Sequence, residues 1–139
     1  MFEGISLFDS LTEKEKKNLA LFCQERVLED GEILFQEDNE AVAMYFLKNG
    51  LLKVYKTNLD GETVLGYIKP GDVVGEMPFF ESDDFHKLRS ASVKALEKSV
   101  VVVILFVSVK ELGDIHPDVY TKIIAIIKER REQNLKNQK

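Results

Sequence analysis

Two short clusters carry the side chains best placed to do chemistry. One is Gly75-Glu76-Met77, the other Arg89-Ser90-Ala91, and PFFESDDFHKL lies between them. A carboxylate accepts hydrogen bonds from a sugar hydroxyl, and a guanidinium grips a phosphate through its fork of donors. Small residues beside them let backbone N–H groups approach the same anion. The pair of clusters therefore suits one ligand that offers both an anionic group and a hydroxyl.

The rest of the chain must position this segment. With 139 residues it is long enough for a domain with a real core. It is 45% hydrophobic and 31% charged, an ordinary composition for a globular protein. A net charge of −5 argues against a general nucleic-acid binder, which would show a basic face. The single cysteine, Cys23, has no partner within the chain, so a reducing, cytoplasmic setting is expected, with the thiol as a small buried hydrophobe. The N-terminus lacks a basic and then apolar leader, so no secretory signal is expected. The longest apolar run, Val100 to Val107, is too short for a spanning helix and reads as a buried strand.

In chain order, 10–23 reads as a helix, capped by Ser10 or Thr12 with Glu13 or Glu15 three residues on, and with Leu19, Leu21, Phe22 and Cys23 at its apolar end. Short apolar runs punctuated by glycine follow from Gln24. Strands are expected at 32–36, 43–48, 51–56, 63–68, 73–74, 90–95 and 99–106. Asn49-Gly50 and Asp60-Gly61 read as hairpin turns, and Pro70-Gly71 as a further turn. Ser108 is a candidate cap for a helix over 109–115. His116-Pro117 ends it and opens a second helix to about Asn134, with a polar tail beyond. Tyr120, Ile123, Ile124 and Ile127 share a face of that helix, which Ile126 widens. The expected fold is mainly β with flanking helices, a double-stranded β-helix (jelly-roll) barrel over about 24–107. One helix precedes it and two follow over about 108–134, all as one domain of 1–139.

This order of elements, with Gly31, Gly50, Gly61, Gly71 and Gly75, the run Tyr45-Phe46-Leu47 leading to Gly50, and the Gly-Glu-Met and Arg-Ser-Ala clusters, resembles the cyclic-nucleotide-binding domain family, of the cAMP receptor protein and protein kinase A regulatory subunit type. The resemblance covers roughly residues 7–134. It implies a non-catalytic domain that binds a cyclic nucleotide, cAMP ahead of cGMP, without a metal. It also implies roles for single residues. Glu76 would accept from the ribose 2′-hydroxyl, Arg89 would pair with the cyclic phosphate, Ser90 and Ala91 would add donors to it, and Gly75 and Met77 would shape the wall. Signalling would run through movement of the C-terminal helices, by population shift.

The sequence departs from the family pattern at three places. Pro78 stands where Ala is common and lacks an N–H, a loss of about 1.5–3 kcal/mol if that donor serves the phosphate. The segment between Glu76 and Arg89 is longer than usual and carries Glu81, Asp83 and Asp84, which either compete for Arg89 or face water. Glu37-Asp38 replaces a Gly-Asp turn.

Several readings stay open side by side. Glu76 and Arg89 make either a ligand site or a structural ion pair. A degenerate pocket would turn the domain into a protein-interaction module or a sensor of another small ligand. The isoleucine face serves the barrel, or a homodimer or protein partner. The basic residues Lys128, Arg130, Arg131, Lys136 and Lys139 suit a helix C-terminus and solubility, or an acidic partner. No helix-turn-helix follows, so no DNA-binding domain is expected in this chain. His86 and His116 lack the spacing of metal ligands.

Overall fold

The computed structural model describes residues 1–2, 4–78 and 88–137, except the side chains of 131 and 134–137. A 3-10 turn at Ser6–Phe8 leads into α1, Glu13–Ala20. Eight strands follow: β1 (Cys23–Leu28), β2 (Ile33–Phe35), β3 (Ala43–Asn49), β4 (Leu52–Asn58), β5 (Gly61–Ile68), β6 (Val73–Val74), β7 (Ser92–Ala95) and β8 (Ser99–Leu105). Two helices close the described chain, α2 (Phe106–Ile115) and α3 (Pro117–Asn137). The strands form two antiparallel sheets of four, ordered β1-β8-β3-β6 and β2-β7-β4-β5. The architecture is a jelly roll whose sheets do not close on each other, with helices at both ends of the chain.

Two apolar clusters hold it together. Leu28, Leu47 and Val101 of the first sheet meet Leu34, Leu52, Val93 and Ala95 of the second, so the sheets pack face to face. Met44, Phe46, Val102 and Ile104, on the other face of the first sheet, meet Phe2, Phe8 and Leu19 from the N-terminal segment. Phe106, Val109, Val119, Ile123 and Ile127 of the closing helices join the same cluster. β8 is therefore buried on both faces, which explains its unbroken valine and isoleucine run. Cys23 sits in the second cluster, and burial pushes its thiol pKa up to about 11.

Several local expectations are corrected. The first helix stops at Ala20, and Cys23 opens a strand paired with Ile104, while Leu21 and Phe22 are exposed. The helix start is as the spacing indicates: the Thr12 hydroxyl accepts from Glu15 N–H and the Glu15 carboxylate accepts from Thr12 N–H, a capping box. α2 begins at Phe106 rather than after Ser108, because the Phe106 N–H donates to the Val42 carbonyl at 2.8 Å and needs no serine hydroxyl. α3 runs to Asn137, past Asn134. Its buried stripe is Val119, Ile123 and Ile127, whereas Ile124 is 40% exposed.

Asn49-Gly50 is not a hairpin turn. β3 pairs with β8 and β6, and β4 with β5 and β7, so the chain at Gly50 crosses from one sheet to the other. Asp60-Gly61 does close a hairpin, between β4 and β5. Gly50 has φ 108°, and a Cβ there would lie 2.0 Å from Ser99 Oγ and 2.7 Å from Ser99 Cα. Both the dihedral and the contact exclude a side chain. Gly50→Ala is expected to cost about 1–3 kcal/mol of stability through backbone strain alone. The check is a lower urea midpoint with an unchanged m-value.

Candidate functional site

The chain leaves β6 through Gly75, which has φ 82°. A Cβ at Gly75 would stand 2.8 Å from Arg89 Nη1 and 3.2 Å from the Phe35 ring. Glycine is thus required twice, by the backbone turn and by the guanidinium packed against it. Glu76 follows with no exposed surface, then Met77, and Pro78 takes a helical position. There its ring suits a first helical turn while its nitrogen offers no donor.

Arg89 comes in from the other side, just ahead of β7. Its backbone is clamped to the β2–β3 connection: Arg89 N–H donates to Asn39 O at 2.8 Å, and Asp38 N–H donates to Arg89 O at 2.9 Å. Asp38 adopts φ 69°, a conformation that aspartate accepts better than most residues, so the Glu37-Asp38 turn works without glycine. The side chain then reaches inward and is only 4% exposed. Nη1 donates to Gly75 O at 2.8 Å and Nη2 to Ala43 O at 2.7 Å. The guanidinium lies 4.0 Å from the Phe35 ring centre and 5.7 Å from that of Tyr45. Its Nε is buried and has no hydrogen-bond partner among the described residues. Burial pulls the Arg89 pKa down, while Tyr45 and Glu76 act in the opposite direction.

All six residues singled out in the two clusters, Gly75, Glu76, Met77, Arg89, Ser90 and Ala91, line one cavity of about 530 Å³. Its apolar wall includes Phe35, Val54, Leu65 and Val93. Ser90 is exposed, and its hydroxyl reaches the Met77 sulfur at 3.6 Å. Ala91 is buried.

The ion pair at the site differs from the one Glu76 and Arg89 suggest. Glu76 is held by Arg130, from the C-terminal part of α3. Arg130 Nη1 donates to both carboxylate oxygens, at 2.6 and 2.7 Å, and Nη2 donates to the Val73 carbonyl. Burial pushes the Glu76 carboxyl pKa up, and the Arg130 guanidinium works against that shift. Arg130 is therefore a site residue, and assigning it to solubility at a helix end is wrong. Its signal in the sequence is faint: it lies seven residues beyond Ile123 and three beyond Ile127, near the stripe that faces the core. Gln133 lines the same cavity. Glu81, Asp83, Asp84 and His86 fall outside the described residues. Among the described residues, no group of three or more His, Cys, Asp or Glu side chains could hold a metal, and no helix is long and apolar enough to cross a membrane.

A jelly roll with helices after its last strand and a buried carboxylate and guanidinium on one cavity defines a class of small-ligand-binding regulatory domains. The comparisons narrow it. A family model described as Cyclic nucleotide-binding domain matches residues 25–115, more than half of the chain. The chain belongs to the cyclic nucleotide-binding domain family. Among solved structures, the catabolite activator protein of Thermus thermophilus is 26% identical with a TM-score of 0.77, over 94% of this chain and 60% of that one. The regulatory domain of Toxoplasma gondii PKA, solved with cAMP, is 25% identical with a TM-score of 0.66, over 76% of this chain and 39% of that one. Among curated proteins, the neuropathy target esterase sws of Drosophila grimshawi is 27% identical over 97% of this chain. The chain spans only about 10% of that esterase's length.

Proposed function

We propose that the cavity binds a cyclic nucleoside monophosphate, cAMP ahead of cGMP, and that the domain is a non-catalytic sensor. The observation that carries this reading is the convergence of both clusters on one cavity, where the buried Arg89 has an Nε–H without a partner among the described residues. The phosphate sits against Arg89, the Ser90 hydroxyl and the Ala91 N–H. The two carbonyls that Arg89 already grips aim its plane and leave further donors for an anion. The ribose hydroxyl donates to Glu76. A carboxylate has about four lone-pair sites, so Glu76 can keep Arg130 and still accept a hydroxyl. The cAMP held by the Toxoplasma relative supports the ligand class.

Because Arg130 is part of α3, ligand on Glu76 and the position of that helix influence each other. Signalling then follows as a shift between arrangements of α3. A cytoplasmic setting fits the single, buried Cys23. The resemblance to the esterase extends to a small part of that protein, and no esterase chemistry is proposed for this chain.

A second reading has its own observation. Glu76 is already bound by Arg130, the two terminal nitrogens of Arg89 by carbonyls, and Pro78 has no N–H, so apart from the Arg89 Nε–H these polar groups are satisfied without ligand. That would suit a protein-interaction module on the same fold. Calorimetric titration with cAMP and cGMP separates the two. Saturable binding well below about 1 mM, a free energy near −4 kcal/mol, supports the sensor. No heat and no shift of amide resonances around Gly75 and Arg89 at that concentration supports the module.

A further inference from the structure

His116 is the one residue between α2 and α3, and its backbone serves both helices. Its N–H donates to Leu112 O at 2.8 Å, and its carbonyl accepts from Val119 N–H at 3.0 Å. Its ring reaches across the fold, with Nε2 2.6 Å from Glu15 Oε2 on α1, 101 positions away in sequence. Glu15 is not a loose surface chain, because its other oxygen accepts from Thr12 N–H in the capping box. That hydrogen bond, followed by the contact with His116, holds the Glu15 carboxyl below its usual range. The pair borders the cluster in which the N-terminal segment packs on Val109, Val119 and Ile123.

We propose that the His116–Glu15 pair is a protonation-sensitive strap that ties the elbow between α2 and α3 to α1. With the ring protonated, both partners are charged and the bond is charge-assisted. With the ring neutral, an ordinary hydrogen bond remains and the elbow is held less firmly. The bond is thus stronger with the ring protonated than with it neutral, so the strap is held more firmly in acid than in base. Several of the other charges around this elbow are matched in pairs, while Lys14 and Lys17 on α1 and Glu111 on α2 are exposed. Glu13 pairs with Lys16 on α1, Asp114 with Lys110 on α2, and Asp118 with Lys122 on α3. Lys122 also donates to Ser6 O, a second tie from α3 to the N-terminal segment. The strap thus tunes a contact that packing already makes. It bears on the ligand cavity because the same helix carries Arg130 to Glu76, but it does not depend on which ligand the cavity takes.

The test uses the protein without ligand. Amide exchange in segment 119–127, corrected for the intrinsic effect of pH, is measured between pH 5.5 and 8.5. Wild type is expected to lose protection roughly two- to fivefold across that range, the scale of a partly exposed ion pair. His116→Gln keeps a neutral donor and should give a flat profile. Glu15→Gln keeps the capping box and should flatten it from the other side, which guards against one variant failing to fold. His86→Asn should leave the wild-type profile intact. A wild-type profile that is already flat, one that His116→Gln leaves unchanged, or one that only His86→Asn flattens would overturn the strap.

Discussion

Arg89→Ala is expected to weaken cyclic-nucleotide binding by about 3 kcal/mol, more than a hundredfold, because it leaves a buried phosphate without its cation. Arg89→Lys should fall between wild type and Ala. It keeps the charge but loses the planar fork, and one ammonium cannot span Gly75 O and Ala43 O as the guanidinium does. Both variants also lose a tie between the β6 exit and β3, so each is expected to unfold at lower urea. For that reason, affinity is measured only where denaturation shows the variant more than 95% folded, about 1.7 kcal/mol of remaining stability by two-state arithmetic. Wild-type affinity in a folded Arg89→Ala would place the phosphate elsewhere in the cavity.

Much of this site is legible in the sequence because its chemistry is local. Gly75-Glu76-Met77 and Arg89-Ser90-Ala91 each keep their functional groups within three positions, and glycine marks the backbone turn. Strands β2 to β8 also lie near their expected positions, most of them bounded by turn residues, whereas β1, Cys23–Leu28, has no counterpart among the expected strands. Pairing is less legible. Asn49-Gly50 has the composition of a hairpin turn, yet the flanking strands go to different sheets, a choice set by where β8 and β7 insert. Arg130 illustrates the same limit. It reaches Glu76 from 54 positions away, and nothing within a turn of it on the helix names that partner. The end of α1 is hidden in the sequence for a related reason. Leu21 and Phe22 extend an apolar pattern that burial does not use.

Arg130→Ala is expected to have the largest effect on stability. Glu76 would remain fully buried without its counter-charge, and breaking a buried pair this way costs about 3–5 kcal/mol. The cost should depend on pH in a defined direction. Burial raises the folded pKa of Glu76 above its ordinary 4.5. Between the unfolded and the folded pKa the folded chain binds a proton that the unfolded chain has released, so stability is fullest below the unfolded pKa and is lost as pH rises through the folded one. Removing Arg130 removes the opposing charge, so the folded pKa climbs further and the decline extends to higher pH. The difference between Arg130→Ala and wild type should be smallest at and below the ordinary 4.5 and should grow as pH rises above it. Glu76→Gln in the Arg130→Ala background should recover part of the loss, since a neutral amide is cheaper to bury. Urea unfolding of the three proteins at several pH values checks both statements. A pH-independent difference would mean that Arg130 acts through its bond to the Val73 carbonyl and its packing.

Cys23 has a practical consequence. It is the only cysteine in the chain, it is buried, and its thiol stays protonated at neutral pH. Thiolate is the species that attacks maleimides and methanethiosulfonates, so the native protein should take up such reagents slowly. A cysteine introduced at an exposed position, such as Glu129 or Glu132 on α3, would then be the dominant reactive thiol without deletion of Cys23. Paired with a second label at exposed Leu59, on the turn between β4 and β5, it would let spin-label or fluorescence distances follow α3 directly as nucleotide or pH is varied.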